Sequence, residues 1–443
     1  MKNRVFFLLI FFALMMGKFV QAEEPDNTIS TDGNTFLHNT HLDLNLRNYW
    51  KYLKEDEAQS RQVHSAWGQA ANFNLQSGYL WDVIGFDVTW TRAVKLGASD
   101  YFSSRGLLYN RGEGMNKNNA HGFSKFNQRY VKVKWGDGTQ GAQGKGGWQE
   151  LTNFGVLTTT NRLSRNSYSG YSGTFNWQAF KLDVAYVTRA LRHDSPESLH
   201  LLTNDKRDIQ ALFTSGLTYQ ATDSKFVYAY GEAKDYLRRQ LIEASYPLSP
   251  QWRLSSQLYH SQALDKYKSM AASKREFDNQ ASHYVGEVQW RNKGWRQRMA
   301  LAWTSASKKN AVGYYGRPMT KNTRGRFNSM TSAGKHYMRD KELALVSYTE
   351  YEIMRGLASG IQINYGQFNY KNNTVRTGEI TWLNRWQPSH PSLKNLSIST
   401  LIGYGWSYKN NKETPLLNAD GKYMRSPSLS SEIAINYKFG LFN

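Results

Sequence analysis

The sequence predicts an all-β fold, a transmembrane antiparallel β-barrel of about 18 strands whose water-filled lumen is narrowed by an inward-folded loop. Three observations carry this expectation. Apolar and polar residues alternate in short runs along the whole chain. Aromatic residues make up 14% of the sequence, with 14 Trp and 28 Tyr. Mean hydropathy is nevertheless −0.66. A barrel buries only every second strand residue against lipid, so its average hydropathy stays low while Trp and Tyr girdle both interfaces. A soluble β-sandwich or propeller is the alternative. It does not need an apolar outer face on every strand, and no blade-length repeat is present.

The amino terminus sets the compartment. Lys2 and Arg4 precede an unbroken apolar run from Val5 to Met16, and Val20-Gln21-Ala22 precedes acidic Glu23, Glu24 and Asp26. This is the organisation of a cleavable export signal over residues 1–22. A membrane anchor would need about 20 apolar residues, and Gly17-Lys18 ends this run early. Residues 23–41 then read as a polar leader and 42–443 as the barrel domain. The chain has no cysteine, hence neither a disulfide framework nor a thiolate metal site. Formal charge is +21; without Lys2, Arg4 and Lys18 it is +18. For an exported chain, the partners of that charge are anionic lipid head groups, lipopolysaccharide or anionic solutes, not nucleic acid.

Period-two alternation marks the strands. Leu42, Leu44 and Leu46 begin it; Phe86, Val88 and Trp90, then Val131, Val133 and Trp135, then Phe180, Leu182, Val184 and Tyr186 continue it. Later runs include Met299, Leu301 and Trp303, and Ile433, Ile435, Tyr437 and Phe439 close the series. Eighteen strands are expected, the fifth at 148–156, with Gly136–Gly147 as a flexible glycine-rich insertion. Short connections, all but one carrying Gly, Pro, Asn or Asp, fall near 79–83, 178–179, 220–224, 247–250, 292–295, 353–358 and 388–394. Long ones fall near 97–126, 191–208, 263–281, 306–341 and 409–428. Short turns at one end and long loops at the other are what a membrane barrel requires.

No catalytic constellation stands out. Gly170-Tyr171-Ser172-Gly173-Thr174 lacks the final glycine of a nucleophile elbow; His38 and His41 have no third ligand nearby; His193 and Glu197 flank a Ser-Pro loop. The expectation is therefore no enzyme, no cofactor and no metal. Residues out of phase with the lipid-facing set should line the lumen: Asp87, Lys132, Lys134, Asp183, Arg253, Glu287, Gln289, Arg291, Arg298, Glu342, Glu350, Arg385 and Lys438. Opposite charges on facing walls would set up a transverse field; charges that merely brace the wall would not. The segment after the fifth strand is hydroxyl-rich and holds Asn161, Arg162 and Arg165, with Tyr168 and Tyr171 beyond. Such a segment can hydrogen-bond to a polar wall at mid-height. Its arginines offer rigid forks for carboxylate, phosphate or hydroxyls, and its tyrosines offer ring faces suited to sugars.

On these residues the sequence resembles the OprD family of substrate-specific outer-membrane porins. Leu44-Asn45-Leu46-Arg47-Asn48-Tyr49-Trp50 is similar to that family's first strand. Ala66-Trp67-Gly68-Gln69 with Gln76-Ser77-Gly78-Tyr79 is similar to its second hairpin, and Val131 to Gly136 to its fourth strand. Asn161-Arg162-Leu163-Ser164 stands where the family has its constriction loop, without the prolines usual after the Arg-Leu pair. Glu243-Ala244-Ser245-Tyr246 and Gly313-Tyr314-Tyr315-Gly316-Arg317-Pro318-Met319-Thr320 resemble the chitoporin branch. The carboxylate-importing branch has an arginine ladder on late strands, where this chain holds Asn364, Ser399 and Leu401. The terminal Phe442 is followed by Asn443, whereas the family ends on the aromatic. The resemblance implies passive, selective diffusion of chito-oligosaccharides or other small sugars. Small anionic nutrients such as carboxylates are the alternative within transport; a surface adhesin or barrel enzyme is the alternative outside it. A monomer and a homotrimer are both compatible with the sequence.

Overall fold

The computed structural model describes residues 35–55, 63–100, 106–112, 114–332 and 336–442. The expected export signal and most of the leader lie outside the described residues. Of the leader, Thr35–His38 form one helical turn, and Phe36 rests against Phe86 at 6.4 Å between ring centroids.

Eighteen strands close into one antiparallel barrel. They are β1 (His41–Glu55), β2 (Val63–Gln76), β3 (Ile84–Ala98), β4 (Phe123–Gly136), β5 (Gln140–Gln149) and β6 (Ser167–Trp177). Next come β7 (Phe180–Leu191), β8 (Leu212–Ala221), β9 (Ser224–Ala233), β10 (Leu237–Pro247), β11 (Trp252–Ala263) and β12 (Gln280–Asn292). The last six are β13 (Trp295–Ser305), β14 (Leu343–Met354), β15 (Leu357–Tyr370), β16 (Asn373–Trp386), β17 (Leu396–Tyr408) and β18 (Arg425–Phe442). Each pairs with its neighbours in sequence, and β1 pairs with both β2 and β18, so no edge remains. Closure satisfies the backbone of every strand internally, which is what lets strands cross a hydrocarbon layer.

The alternation reads the two faces correctly. Val133 is 43% and Leu301 53% exposed on the outer face, while Lys132 and Ala300 beside them are buried inside. Tight connections gather at one end, such as Gln178-Ala179 between β6 and β7 and Lys293-Gly294 between β12 and β13. Long loops gather at the other end: 99–122, 150–166, 192–211, 264–279, 306–342 and 409–424.

One strand differs from expectation. The glycine-rich stretch is not an insertion but β5 itself, and the β4–β5 connection is a tight turn in which Asp137 caps Thr139 and Gln140. The predicted strand 148–156 instead leaves the wall after Gln149. The outward positions of β5 ahead of Trp148 are Ala142, Gly144 and Gly146, so no apolar period could appear. Neighbouring side chains cover the gap: a Cβ placed on Gly146 would touch the Tyr171 ring at 3.4 Å. Large rings rescuing strand glycines in this way keep the outer face apolar.

Candidate pore eyelet

Two loops fold from the loop end into the barrel: 150–166, called loop A, and 306–342, called loop B. Loop A is fastened to two walls. At one side Val156 donates its N–H to Thr214 Oγ1 of β8 at 2.8 Å, and its side chain sits over Gly231 of β9. At the other, Arg47 of β1 donates to Asn161, including its carbonyl at 3.1 Å. Leu163 presses onto Gly68 of β2, where any Cβ would collide with it at 2.4 Å. Strands β1 and β2 stand six to eight strands away from β8 and β9 in the ring of eighteen, so loop A crosses the lumen. Leu151, Val156, Leu157 and Leu163 are the apolar anchors that make this possible; each is buried.

Loop B lines the wall from β10 to β16. Arg239 of β10 is 1% exposed and reaches the carbonyls of Gly316 (2.6 Å), Arg317 and Pro318 (3.4 Å), with Ser261 at 2.9 Å. Arg326 pairs with Glu243 of β10, and His283 of β12 meets Ser329 and Thr331. The two loops are zipped together. Thr158 N–H donates to Arg324 O at 2.9 Å and Arg326 N–H to Val156 O at 2.8 Å. Gly325 stands in this seam, where a Cβ would lie 1.9 Å from the Arg317 carbonyl oxygen.

A cavity of about 370 Å³ opens beside the seam. Its lining includes Thr158, Thr160, Arg162, Arg317, Arg324 and Arg339, together with Glu276, Glu413, Tyr314, Phe327 and His336. Four arginines thus face two glutamates. Glu413 is held by Arg339 at 2.8 Å, which also binds Glu342 at 3.0 Å. The Arg317 guanidinium is held down at about 10, first by burial and then by Arg324 and Arg162. Arg324 is lowered for the same reasons, burial and Arg162. Burial pushes Glu276 up to about 7, against the pull of Arg239. Like charges are being held together in a partly dehydrated space.

The expected site residues divide. Asn161 and Arg162 lie on the lumen-crossing stretch of loop A, and Arg162 lines the cavity. Arg165 pairs with Glu150 at 2.7 Å. The tyrosines are elsewhere, which corrects the expectation of ring faces at the eyelet. Tyr168 is wholly buried; its hydroxyl takes the Arg324 N–H at 3.0 Å and donates to Thr158 O at 2.9 Å, pinning the two loops. Tyr171 is 74% exposed on the outer face over Gly146. Strand parity explains both, because β6 begins at Ser167 and places alternate residues on opposite sides.

The lumen charges mostly neutralise one another on a single wall rather than across the pore. Asp87 binds Lys132 at 2.7 Å and receives Tyr130 Oη–H. Glu287 binds Arg298 at 2.6 Å. Asp183 binds Lys181 at 2.9 Å. Glu350 binds Arg385 at 2.7 Å and Arg296 at 3.6 Å. Lys134 reaches Asp82 in the turn, and Arg253 caps the Asp223 carbonyl at 2.8 Å. Glu342 is locked under loop B by Arg339. Arg291, Arg296, Glu350 and Arg385 line a second cavity of about 670 Å³ at the turn end. Sequence reasoning passed over Arg47, Glu243 and Arg239: the first two are out of phase with outward apolar neighbours, Arg239 shares its inward parity with Leu237 and Leu241, and their partners on loops A and B gave no local signal.

A family model described as outer membrane porin, OprD family, matches residues 34–330. The chain belongs to the OprD family. It is therefore an outer-membrane porin of bacteria for small solutes, a channel and not an enzyme. Solved structures of family channels share the fold. Pseudomonas aeruginosa OccK9 (OpdG) superposes with a TM-score of 0.75 at 14% identity, over 92% of this chain and 100% of that one. Acinetobacter baumannii OccAB2 gives 0.70 at 17% identity, over 92% and 100%. Pseudomonas aeruginosa OpdK, determined with vanillate, gives 0.70 at 15% identity, over 91% and 100%. No curated protein matches the chain in sequence.

Proposed function

We propose that this OprD-family porin selects small organic anions, carboxylates foremost, at an eyelet formed where loop A meets loop B. The observation that carries the reading is the arginine cluster on the cavity wall, Arg162, Arg317 and Arg324, in which Arg162 and Arg324 lower the proton affinity of Arg317 and Arg162 lowers that of Arg324. An anion entering that space relieves repulsion among the three, and guanidinium forks suit a carboxylate. Tyr314 and Phe327 add ring surface beside the charges, which favours anions with a flat or apolar part. Vanillate, found with OpdK, has that chemistry. Diffusion is passive: the wall supplies sites to enter and leave, and no bond is made.

Uncharged sugars, the class implied by the likeness to the chitoporin branch, are the second reading. The rings and hydroxyls of Tyr314, Phe327, Thr158 and Thr160 on the cavity favour it, since Tyr168 and Tyr171 do not face the pore. Liposome swelling over a panel of aromatic and aliphatic carboxylates, their neutral amides and chito-oligosaccharides separates the two. Faster entry of each carboxylate than of its amide is expected. Equal rates for both would reject anion selection, and fast entry of chito-oligosaccharide alone would favour the sugar reading.

A further inference from the structure

On strands β3 to β7 three arginines interrupt the apolar outer face towards the loop end. Arg129 of β4 stands in register with Val88 of β3 and Trp148 of β5. Trp148 stands opposite Ser169 of β6, Ser169 opposite Arg189 of β7, and Arg189 opposite His200 of a short loop strand. Arg92 lies further up β3, opposite Ser124. All three guanidinium-bearing residues are exposed. Among the described residues none of the three is in an ion pair. The carboxylates of Asp100 and Glu197, on the loops above, are taken by Lys117 and Tyr109.

Arg189 is on this face by construction. Phe180, Leu182, Val184 and Tyr186 point outwards, so regular alternation would send Arg189 into the lumen. The register shift between Ser169 and Gly170 leaves Thr188 as an extra residue and turns Arg189 outside. Bulges re-aim side chains in this way. Arg129 crosses the Trp148 ring at 5.3 Å and donates to Phe126 O at 2.9 Å, so its head is drawn towards the loop end.

Height decides what these groups meet. Arg129 is six residues above Trp135, the aromatic at the turn end of β4; at about 3.3 Å per residue and a tilt near 40° that is roughly 15 Å, and its side chain reaches further up. Arg189 is nine residues above Phe180, or roughly 22 Å on the same reckoning. The apolar band is about 25 Å tall. Both guanidinium groups therefore reach the head groups of the outer leaflet. Three strand spacings separate their backbones, about 14 Å, with an indole between them.

We infer that Arg129, Trp148 and Arg189, with Arg92 and His200 at the edges, form a docking site on the outside of the barrel for the two phosphates of lipopolysaccharide. Each guanidinium takes one phosphate as a paired donor. The disaccharide between the phosphates lies along the row over Ser169 and Trp148. A phospholipid with one phosphate uses half the site.

The test is native mass spectrometry of the delipidated full-length porin with bisphosphorylated lipid A, monophosphoryl lipid A or phosphatidylethanolamine. Wild type should retain bisphosphorylated lipid A at least about tenfold better than either other lipid, the size of one charge-assisted contact. Arg129→Gln with Arg189→Gln should erase that preference, and Arg129→Lys with Arg189→Lys, which keeps the charge but loses the paired geometry, should keep only part of it. Heat-modifiability on gels, unchanged in both, confirms closed barrels. Equal retention of the three lipids by wild type, or an unchanged preference in the glutamine pair with intact barrels, overturns the inference.

Discussion

Neutralising Arg162 and Arg324 tests the eyelet most directly. Both line the cavity at the seam of loops A and B, and Arg162 contributes to the lowering of Arg324. A monovalent anion passing about 5 Å from one guanidinium gains roughly 0.8 kcal/mol if the space behaves as bulk water, and roughly 3 kcal/mol at an effective dielectric near 20. A half-buried, walled cavity lies between these limits. The lower figure already means that each arginine raises anion occupancy about fourfold. Arg162→Gln and Arg324→Gln should therefore each cut the anion-to-cation permeability ratio at least about fourfold, and the double variant more. The assay is the reversal potential of single channels in a planar bilayer under a KCl gradient. Low salt is essential, since the Debye length is about 10 Å at 0.1 M but about 3 Å at 1 M. If the double variant keeps the wild-type reversal potential at low salt, the cavity is not on the ion path and the eyelet is elsewhere.

Three further outcomes follow from the same geometry. Glu276 lines that cavity and titrates at about 7 because burial disfavours its anion; below that pH it is neutral, so anion selectivity should rise as pH falls through 7, and Glu276→Gln should abolish the step. Arg239→Met removes the donor that holds Gly316, Arg317 and Pro318; at about 1.5–3 kcal/mol per charged hydrogen bond, loop B should detach, raising single-channel conductance and noise and opening residues 306–342 to protease. Leu301→Arg, on the outer face, should cost about 2–4 kcal/mol of folding stability in lipid if near the midplane, measured by urea unfolding in vesicles, whereas a wild-type midpoint would place Leu301 away from lipid.

The barrel was legible because lipid imposes a one-residue rule. Each outward position must be apolar, so Phe180, Leu182, Val184 and Tyr186 announce β7 without reference to any other strand. The rule fails where a neighbour does the covering. Ala142, Gly144 and Gly146 leave β5 silent, and Tyr171 of the next strand supplies the missing surface. It fails again at Thr188, where an extra residue reverses the parity and sends Arg189 out of the lumen it would otherwise line.

The lumen obeys no such local rule, and that is why the eyelet was read only in part. Loop A's polarity pointed inwards, and Asn161 and Arg162 do lie on its crossing stretch. Yet a polar loop held only by polar contacts would have to compete with water for each of them. Loop A is fixed by Val156 over Gly231 and Leu163 over Gly68, where missing side chains on the wall make sockets for apolar ones. The charge at the cavity depends on a second loop more than a hundred residues away in the chain: Arg317 and Arg324 arrive through the seam that Tyr168 pins. A tyrosine read as a solute contact is the bolt between the loops. Tyr168→Phe keeps the ring in its pocket but leaves the Thr158 carbonyl with Asn166 alone and takes the Tyr168 acceptor from the Arg324 N–H, at about 1–3 kcal/mol for the donor left unsatisfied. Selectivity in such a channel is thus a property of how two loops meet, and the residues that decide it include some that never touch the solute.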